Sequence, residues 1–341
     1  MQLTLVISGL LDAAPSALAA ADASATALAR ILAASATPTF RRDGLPAVLC
    51  EALAIRRQSD WPIAPWRARA HGIEPGGAYW LCADPVSMLV QRESVRLNGV
   101  VEDLASAETA SLLATLNAHF VGEGLRFYAP QPGNWLVQID KPQQIETFPT
   151  EVALGHVLLE FLPRGPDGAR WRRWQNEMQM LLFDHPVNRE RESSRRPIVD
   201  SVWLWGGGVF EAPRQVPSTK KIYTDVQWIR ELAGAAGMAV LALPDAVAQL
   251  LEGPGTADTL VYLDTPAISG SEQLATLDRV WFQPLENALQ RRDLAAIDLV
   301  LTQRSGMMTF VARRANLFGR WRYRWSKPSL LNLLAIERQA M

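Results

Sequence analysis

Past Pro149 the sequence alternates short apolar runs with amphipathic helical stretches, and this rhythm restricts the fold more than any single motif. "SVWLWGGG", "MAVLALP", "ADTLVYLDTP" and "AIDLVLTQ" read as strands, while "YTDVQWIRELAGAAG" and "SEQLATLDRVWFQPLENALQRRD" read as helices between them. Parallel neighbours need a long crossover, usually a helix, and a sheet built that way buries both of its faces. The opening "LTLVIS", followed by an Ala/Leu-rich helical stretch, fits the same scheme. The expectation is an α/β core with a mainly parallel sheet flanked by helices. Ligands of such sheets sit beyond the carboxyl ends of the strands. That puts Gly206–Gly208, Asp264–Pro266 and Thr302–Gly306 on the expected functional rim.

The stretch from Trp80 to Ile139 breaks this rhythm. "YWLCADPVSMLVQ", "SVRLNGVV", "LRFYAP" and "NWLVQI" read as four strands around one helix, "SAETASLLATLNAHFVGEG". Ser106 is the expected helix cap, Glu108 lies in its first turn, and Gly122 or Gly124 ends it. The Pro-, Gly- and Trp-rich "DWPIAPWRARAHGIEPGGAYW" reads as a boundary loop. The predicted organisation is therefore a core of residues 1–70 and 150–341 with an inserted α+β domain over 71–149.

Composition narrows the function classes. Of the residues, 48% are hydrophobic and 20% charged, as in a globular chain with a sizeable core. A net charge of −1 disfavours bulk attraction to nucleic acid or to an anionic membrane. The 2 cysteines, Cys50 and Cys82, are too few for a disulfide framework, and a cytoplasmic location is expected. The first positive charge is Arg30, so the apolar start reads as strand and helix rather than a signal peptide.

Three stretches bear on chemistry. In "DHPVNRERESSRRPIVDSVWLWGGG" (184–208), His185 is expected at a helix C-terminus, where an imidazolium would meet the negative end of the dipole. Arg189, Arg191, Arg195 and Arg196 suit a phosphate or carboxylate, with Glu190 and Glu192 partly offsetting them. The alternative is a capped helix with a solvated charged loop. Gly206 and Gly207 would let backbone approach a ligand, or would simply mark a strand exit. "RWRYRW" (320–325) alternates basic and aromatic residues, the pattern of a half-buried strand or of a single-strand nucleic-acid surface. The four histidines, His71, His119, His156 and His185, have no metal-site spacing, and no G-x-S-x-G elbow occurs.

The order of segments resembles the second half of archaeal-type, cofactor-independent phosphoglycerate mutases, with a likeness spanning roughly residues 75–245. Their N-H-P-V-N-x-x-R turn has a counterpart in Asp184–Asn188, with Arg191 at the Arg position. Their R-G-x-G strand end has one in Trp205–Gly208, and the helix close A-x-x-x-G-M in Ala233, Gly237 and Met238. It looks closest to a bacterial branch labelled phosphoglycerate mutase-like, or to Rpf-type regulatory proteins. The resemblance implies an alkaline phosphatase-like fold. Active members hold two divalent metals, such as Mn or Zn, with an Asp after the first strand, a nucleophilic Ser, and late Asp and His ligands.

This chain departs from that pattern where metals would bind. Ser8 stands at the expected Asp, and "RRDG" (41–44) lacks a Ser. Asp264 and Pro266 fit but their His is missing, and Gln303-Arg304-Ser305 replaces Asp-His. Paired dications need several anionic or imidazole donors, and Arg304 would repel them. The expectation is thus a phosphoglycerate mutase-like protein without a metal cofactor. It would act by ligand binding or regulation, with an anion cleft of His185, Asn188, Arg191, Gly206, Gly207 and Arg304 and no assigned catalytic residue. Its expected partners are a small phosphorylated or anionic ligand and an unidentified protein, with no membrane and nucleic acid disfavoured. The alternatives are an active 2,3-bisphosphoglycerate-independent mutase or related phosphotransferase with a rearranged site, and a nucleic-acid-binding module.

Overall fold

The computed structural model describes residues 2–11, 13, 15–21, 25–35, 38–41, 44–90, 94–213, 219–251, 259–265, 268, 270–303, 306–313, 329–330 and 334. Arg304, Pro266 and the "RWRYRW" stretch therefore lie outside the described residues. The strands are β1 (Gln2–Ile7), β2 (Thr39–Arg41), β3 (Tyr79–Val90), β4 (Val95–Val100), β5 (Leu125–Gln131) and β6 (Asn134–Ile139). They continue with β7 (Ser201–Val209), β8 (Lys221–Tyr223), β9 (Ala239–Leu241), β10 (Thr259–Leu263), β11 (Ala296–Gln303) and β12 (Gly306–Arg313). The helices are α1 (Pro15–Ala21), α2 (Thr26–Ala34), α3 (Gly44–Ala52), α4 (Ile63–Ala70), α5 (Ser106–Phe120) and α6 (Thr150–Ala153). After these come α7 (Gly168–Phe183), α8 (Pro186–Ser193), α9 (Gln227–Ala235), α10 (Val247–Leu251), α11 (Ser271–Leu277) and α12 (Gln283–Arg291). Among the described residues no single helix is long and apolar enough to cross a membrane.

The chain forms two compact units, one of Met1–Leu45, Pro217–Ala233 and Gly237–Met341, the other of Pro46–Val216 with Gly234–Ala236. The first holds a seven-stranded sheet in the order β2-β12-β11-β1-β10-β8-β9. From β11 through β9 every pairing is parallel, while β12 and β2 add an antiparallel edge. This is the largely parallel, helix-flanked sheet that the alternating sequence predicts. Leu5, Val6 and Ile7 of the central β1 are all fully buried, so both of its faces are covered. Register decides where the strands end: Ile7 pairs with Leu263 on one side and Leu301 on the other. Ser8, Asp264 and Thr302 therefore stand at one level near the carboxyl ends of these strands.

One helix of this unit differs from its sequence reading. The stretch 271–291 is not a single α-helix, because a π-helical turn, Asp278–Phe282, separates α11 from α12 just before Pro284. The wide turn accommodates the missing proline N–H and turns Asp278 inward. Fully buried, the Asp278 carboxylate accepts from Leu28 N at 2.7 Å and Ala27 N at 3.3 Å, so a distant aspartate caps α2.

The second unit is built on a five-stranded antiparallel sheet, β4-β3-β6-β5 with β7 on the free edge of β3. Its four expected strands and single helix (α5) are present, but it is larger than the 71–149 insert that the sequence suggested. β7 runs antiparallel to β3, pairing Ser201 with Val86 and Val209 with Tyr79, and does not join the parallel sheet. Residues 46–70 and 150–213 go with it, because α4 and α7 pack onto β7. The supposed boundary loop contains α4, whose Pro62 precedes it and whose Pro65 lies in its first turn, where a proline costs no hydrogen bond. On one face Leu81, Ala83, Val202 and Leu204 meet Leu112 and Leu116 of α5 and Trp171, Trp174 and Met178 of α7.

Candidate functional site

At the carboxyl ends of β1 and β10, the Ser8 hydroxyl donates to Asp264 Oδ1 at 2.7 Å and accepts from Thr265 N at 3.1 Å. The Thr265 hydroxyl donates back to the Ser8 carbonyl. Gly9 turns the chain away with φ of 74°, and an added Cβ there would stand 2.1 Å from the Thr265 carbonyl oxygen. Thr302, at the end of β11, donates to the Ile7 carbonyl at 3.4 Å. The rim thus brings together Ser8, Asp264, Thr265 and Thr302, as the parallel reading of these segments expects. Among the described residues no group of three or more His, Cys, Asp or Glu side chains is placed to share a metal ion.

The other residues assigned to an anion cleft lie in the second unit and have internal partners. His185 does not close α7; it is the N-cap of α8, with Pro186 as the first helical residue. Its Nδ1 accepts from Val187 N at 3.2 Å, and Nε2 lies 3.1 Å from Thr115 Oγ1. Burial lowers its pKa below the ordinary histidine value, and an accepting Nδ1 requires the neutral ring. Asn188 donates to the Leu182 and Val199 carbonyls at 2.7 and 2.8 Å and accepts from Val199 N at 2.9 Å, tying the end of α7 to the chain entering β7.

Arg191 is 0% exposed. Its Nε donates to the Pro197 carbonyl at 2.7 Å and its Nη1 to Glu108 Oε2 at 2.9 Å, while Nη2 bonds to Asp103 Oδ1. Glu108 also accepts from Ala105 N at 2.8 Å and from Arg196 at 2.8 Å. The N-cap of α5 is therefore Ala105 rather than Ser106, and Glu108 supplies the capping oxygen. Burial opposes ionisation of Glu108, yet the Ala105 N–H and the two guanidiniums hold its carboxyl below the usual value. His185, Asn188 and Arg191 staple α8 to α5, α7 and β7. Their donors are spent on protein partners, and the anion-binding expectation for them gives way to a structural one.

Gly206 and Gly207 likewise sit inside the second unit. A Cβ on Gly206, whose φ is 67°, would meet Ile63 Cβ at 3.0 Å; one on Gly207 would meet Tyr79 Oη at 2.3 Å and Leu81 Cδ2 at 2.8 Å. The glycines let α4 and β3 close on β7, leaving no approach for a ligand. We expect Gly207→Ala to destabilise this unit by about 1–3 kcal/mol through overpacking, read as a lower urea midpoint. A glycine facing an open cleft would show no such loss.

Two buried polar clusters escaped the sequence reading. In the first, Asp60 accepts from Trp61 N at 2.8 Å, Thr147 N at 3.1 Å and the Thr147 hydroxyl, with Gly207 N at 3.5 Å. The Thr147 oxygen in turn accepts from Gly206 N at 3.1 Å. Burial pushes the Asp60 carboxyl up to about 6, against hydrogen bonds from Thr147, Trp61 and Gly207 that favour the ionised form. A pKa raised on folding adds stability that is whole below 3.8 and is lost as pH rises through about 6. That loss is worth roughly 3 kcal/mol. The expected result is a wild-type urea midpoint that falls across this window more than that of Asp60→Asn.

The second cluster joins α4 to β3 and β7. Asp84 Oδ2 accepts from Trp205 Nε1 at 2.6 Å and Thr150 Oγ1 at 2.8 Å, while Oδ1 lies 3.9 Å from Arg67 Nη1. That guanidinium also donates to Cys82 Sγ at 3.3 Å. Burial raises the Cys82 thiol to about 12, so it is no nucleophile. The available signal was Asp84 itself, a lone acid within the apolar run "YWLCADPV".

No protein-family model matches the chain. The 2,3-bisphosphoglycerate-independent phosphoglycerate mutase of Methanosarcina acetivorans is 26% identical over 214 residues, 61% of this chain and 48% of that protein. The probable enzyme of the same name from Geobacter sulfurreducens is 25% identical over 193 residues, 54% of this chain and 48% of that protein. The chain spans about half the length of these curated relatives. A solved cofactor-independent phosphoglycerate mutase from Thermoplasma acidophilum superposes with a TM-score of 0.45 at 15% identity, over 99% of each chain. By sequence the protein is a distant relative of 2,3-bisphosphoglycerate-independent phosphoglycerate mutases.

Proposed function

We propose that this is a phosphoglycerate mutase-like protein with an alkaline phosphatase-like core that has lost two-metal phosphoryl transfer and acts by ligand binding or regulation. A place in the bacterial or Rpf-type regulatory branch belongs to the same proposal. The observation that carries it is the Ser8–Asp264 hydrogen bond. Where the resemblance expects a metal-binding carboxylate, a neutral hydroxyl stands and takes up one oxygen of the neighbouring acid. A pair of dications needs several anionic or imidazole donors. The described residues of this rim, one carboxylate among hydroxyls, do not fit such a pair. Without a metal to polarise the phosphoryl group and activate a nucleophile, the main source of rate is missing.

The test is interconversion of 3- and 2-phosphoglycerate by the purified full chain with added Mn2+ or Zn2+, beside equilibrium dialysis of each metal. We expect no metal-dependent turnover and no stoichiometric pair of bound ions. Metal-dependent turnover would overturn the proposal in favour of an active mutase with a rearranged site.

A further inference from the structure

The sequence contains one Asn-Gly pair, Asn98–Gly99, and the fold gives it no turn to make. Such pairs ordinarily form the two-residue turn of a hairpin, where both residues take positive φ. Here the pair lies inside β4, and neither residue has positive φ. What it occupies is a break in the ladder. Ser87 of β3 pairs with Gly99 and Met88 with Leu97, so Asn98 is an extra residue opposite the Ser87–Met88 step, a β-bulge.

The surroundings of Asn98 leave it open. β4 stands at the end of the strand order, and the isolated bridges that flank it reach Arg96 and Leu97 but not Asn98. Asn98 is exposed, with Nδ2 donating to Ser87 Oγ at 3.1 Å. Other asparagines of this unit are held more closely. Asn117 donates to the Phe127 carbonyl and accepts from its N–H, while Asn134 and Asn188 are buried. Gly99 is not required by packing, because a Cβ added there would meet nothing within 4 Å. Its missing side chain matters instead to the residue before it.

We propose that Asn98 is a site of spontaneous covalent modification, converting to aspartate and isoaspartate through a cyclic imide formed with Gly99. The Gly99 backbone nitrogen, having lost its proton to hydroxide, attacks Asn98 Cγ. The new N–Cγ bond closes a five-membered ring, the Cγ–Nδ2 bond breaks, and Nδ2 leaves as ammonia with a proton taken from water. Water then opens the ring at either carbonyl, giving aspartate or a main chain that runs through the side chain, isoaspartate. Nothing is oxidised or reduced. Glycine favours closure because no Cβ obstructs the nitrogen and its wide φ/ψ range admits the near-attack geometry. The bulge favours it as well, since Asn98 has no residue opposite it in the ladder and turns at less cost in strand pairing. Either product puts a negative charge beside the buried Ser87 hydroxyl, and isoaspartate adds a methylene to the β4 main chain.

The test incubates the folded full chain in mildly alkaline buffer and follows amide loss at each asparagine by peptide mass mapping. Isoaspartate is read separately, by methyl transfer from labelled S-adenosylmethionine with an isoaspartate methyltransferase. Asn98 is expected to convert at least tenfold faster than any other asparagine, with isoaspartate among its products, and Gly99→Val to slow it at least tenfold. Valine has room at this position, and a β-branched side chain suits a strand. Gly99→Ala repeats the test with a smaller change, and the urea midpoint of each variant reports its fold. The proposal is overturned if Asn98 of the folded chain stays intact over the time in which the guanidinium-unfolded chain converts. It also fails if another asparagine converts as fast, or if both Gly99 variants convert as the wild type does. These outcomes are independent of phosphoglycerate turnover and leave that question separate.

Discussion

Replacing Arg191 with alanine is expected to lower the stability of the second unit by about 1.5–3 kcal/mol, the cost of losing charge-assisted hydrogen bonds from a fully buried guanidinium to acids that are themselves partly exposed. The size follows from what the guanidinium covers. It neutralises Glu108 and Asp103 and donates to the Pro197 carbonyl, and its own exposure is 0%. Without it, Glu108 stays half-shielded at the start of α5 with Arg196 as its remaining cation, and the 197 carbonyl loses its donor. Arg191→Lys should recover little, because a single ammonium cannot reproduce donors aimed at three separate groups. The measurement is a urea or guanidinium unfolding curve followed by tryptophan fluorescence, well placed because Trp171, Trp174 and Trp203 lie in this unit's buried interior. An anion-binding Arg191 would behave oppositely, with fold intact and binding lost. A variant within a few tenths of a kcal/mol of the wild type would therefore rule out the clamp.

The contrast between Arg191 and Ser8 explains what could be read from the chain. The turn at 184–191 was recognisable as a unit, and so was the set of residues in it that matter. Their role was not, because an arginine suited to grip a phosphate and a buried arginine that holds two acids of its own chain share one sequence signature; burial of the guanidinium separates them. The same limit misplaced β7. "SVWLWGGG" is apolar on both faces, and a continuous apolar run is what a parallel core strand shows. It is also what an antiparallel strand shows when α4 covers one side and α5 and α7 the other, and periodicity cannot tell them apart. Once β7 was assigned to the wrong sheet, the domain limits followed it. By contrast, Asp264 and Thr302 were legible as strand-end neighbours, because strand–helix alternation fixes which ends come together, while Ser8 was singled out by the resemblance. The partners of Asp60 and Asp84 were not, since Thr147, Gly207, Arg67 and Thr150 reach them only through tertiary packing.

For Asp84 the consequence is an expected loss of about 3–5 kcal/mol on substitution by alanine, the cost of stranding a buried partner. Trp205 Nε1–H and Thr150 Oγ1–H would lose their acceptor, and the Arg67 guanidinium, 5% exposed, its anion. Burial raises the Asp84 pKa even with Arg67 beside it, so the ionised pair is costly to hold and its net contribution is smaller than the loss on breaking it. A double-mutant cycle separates the two quantities. Arg67→Met and Asp84→Ala should each be strongly destabilising, while the combination should cost well below their sum, because no unpaired charge is left inside. Additive costs would mean that water reaches the cluster and that Arg67 and Asp84 each act alone. Asp84→Asn gives the finer reading: an amide oxygen still accepts from Trp205 or Thr150 but offers no charge. Whatever stability it retains over alanine reports the hydrogen bonds, and the remainder reports the ion pair.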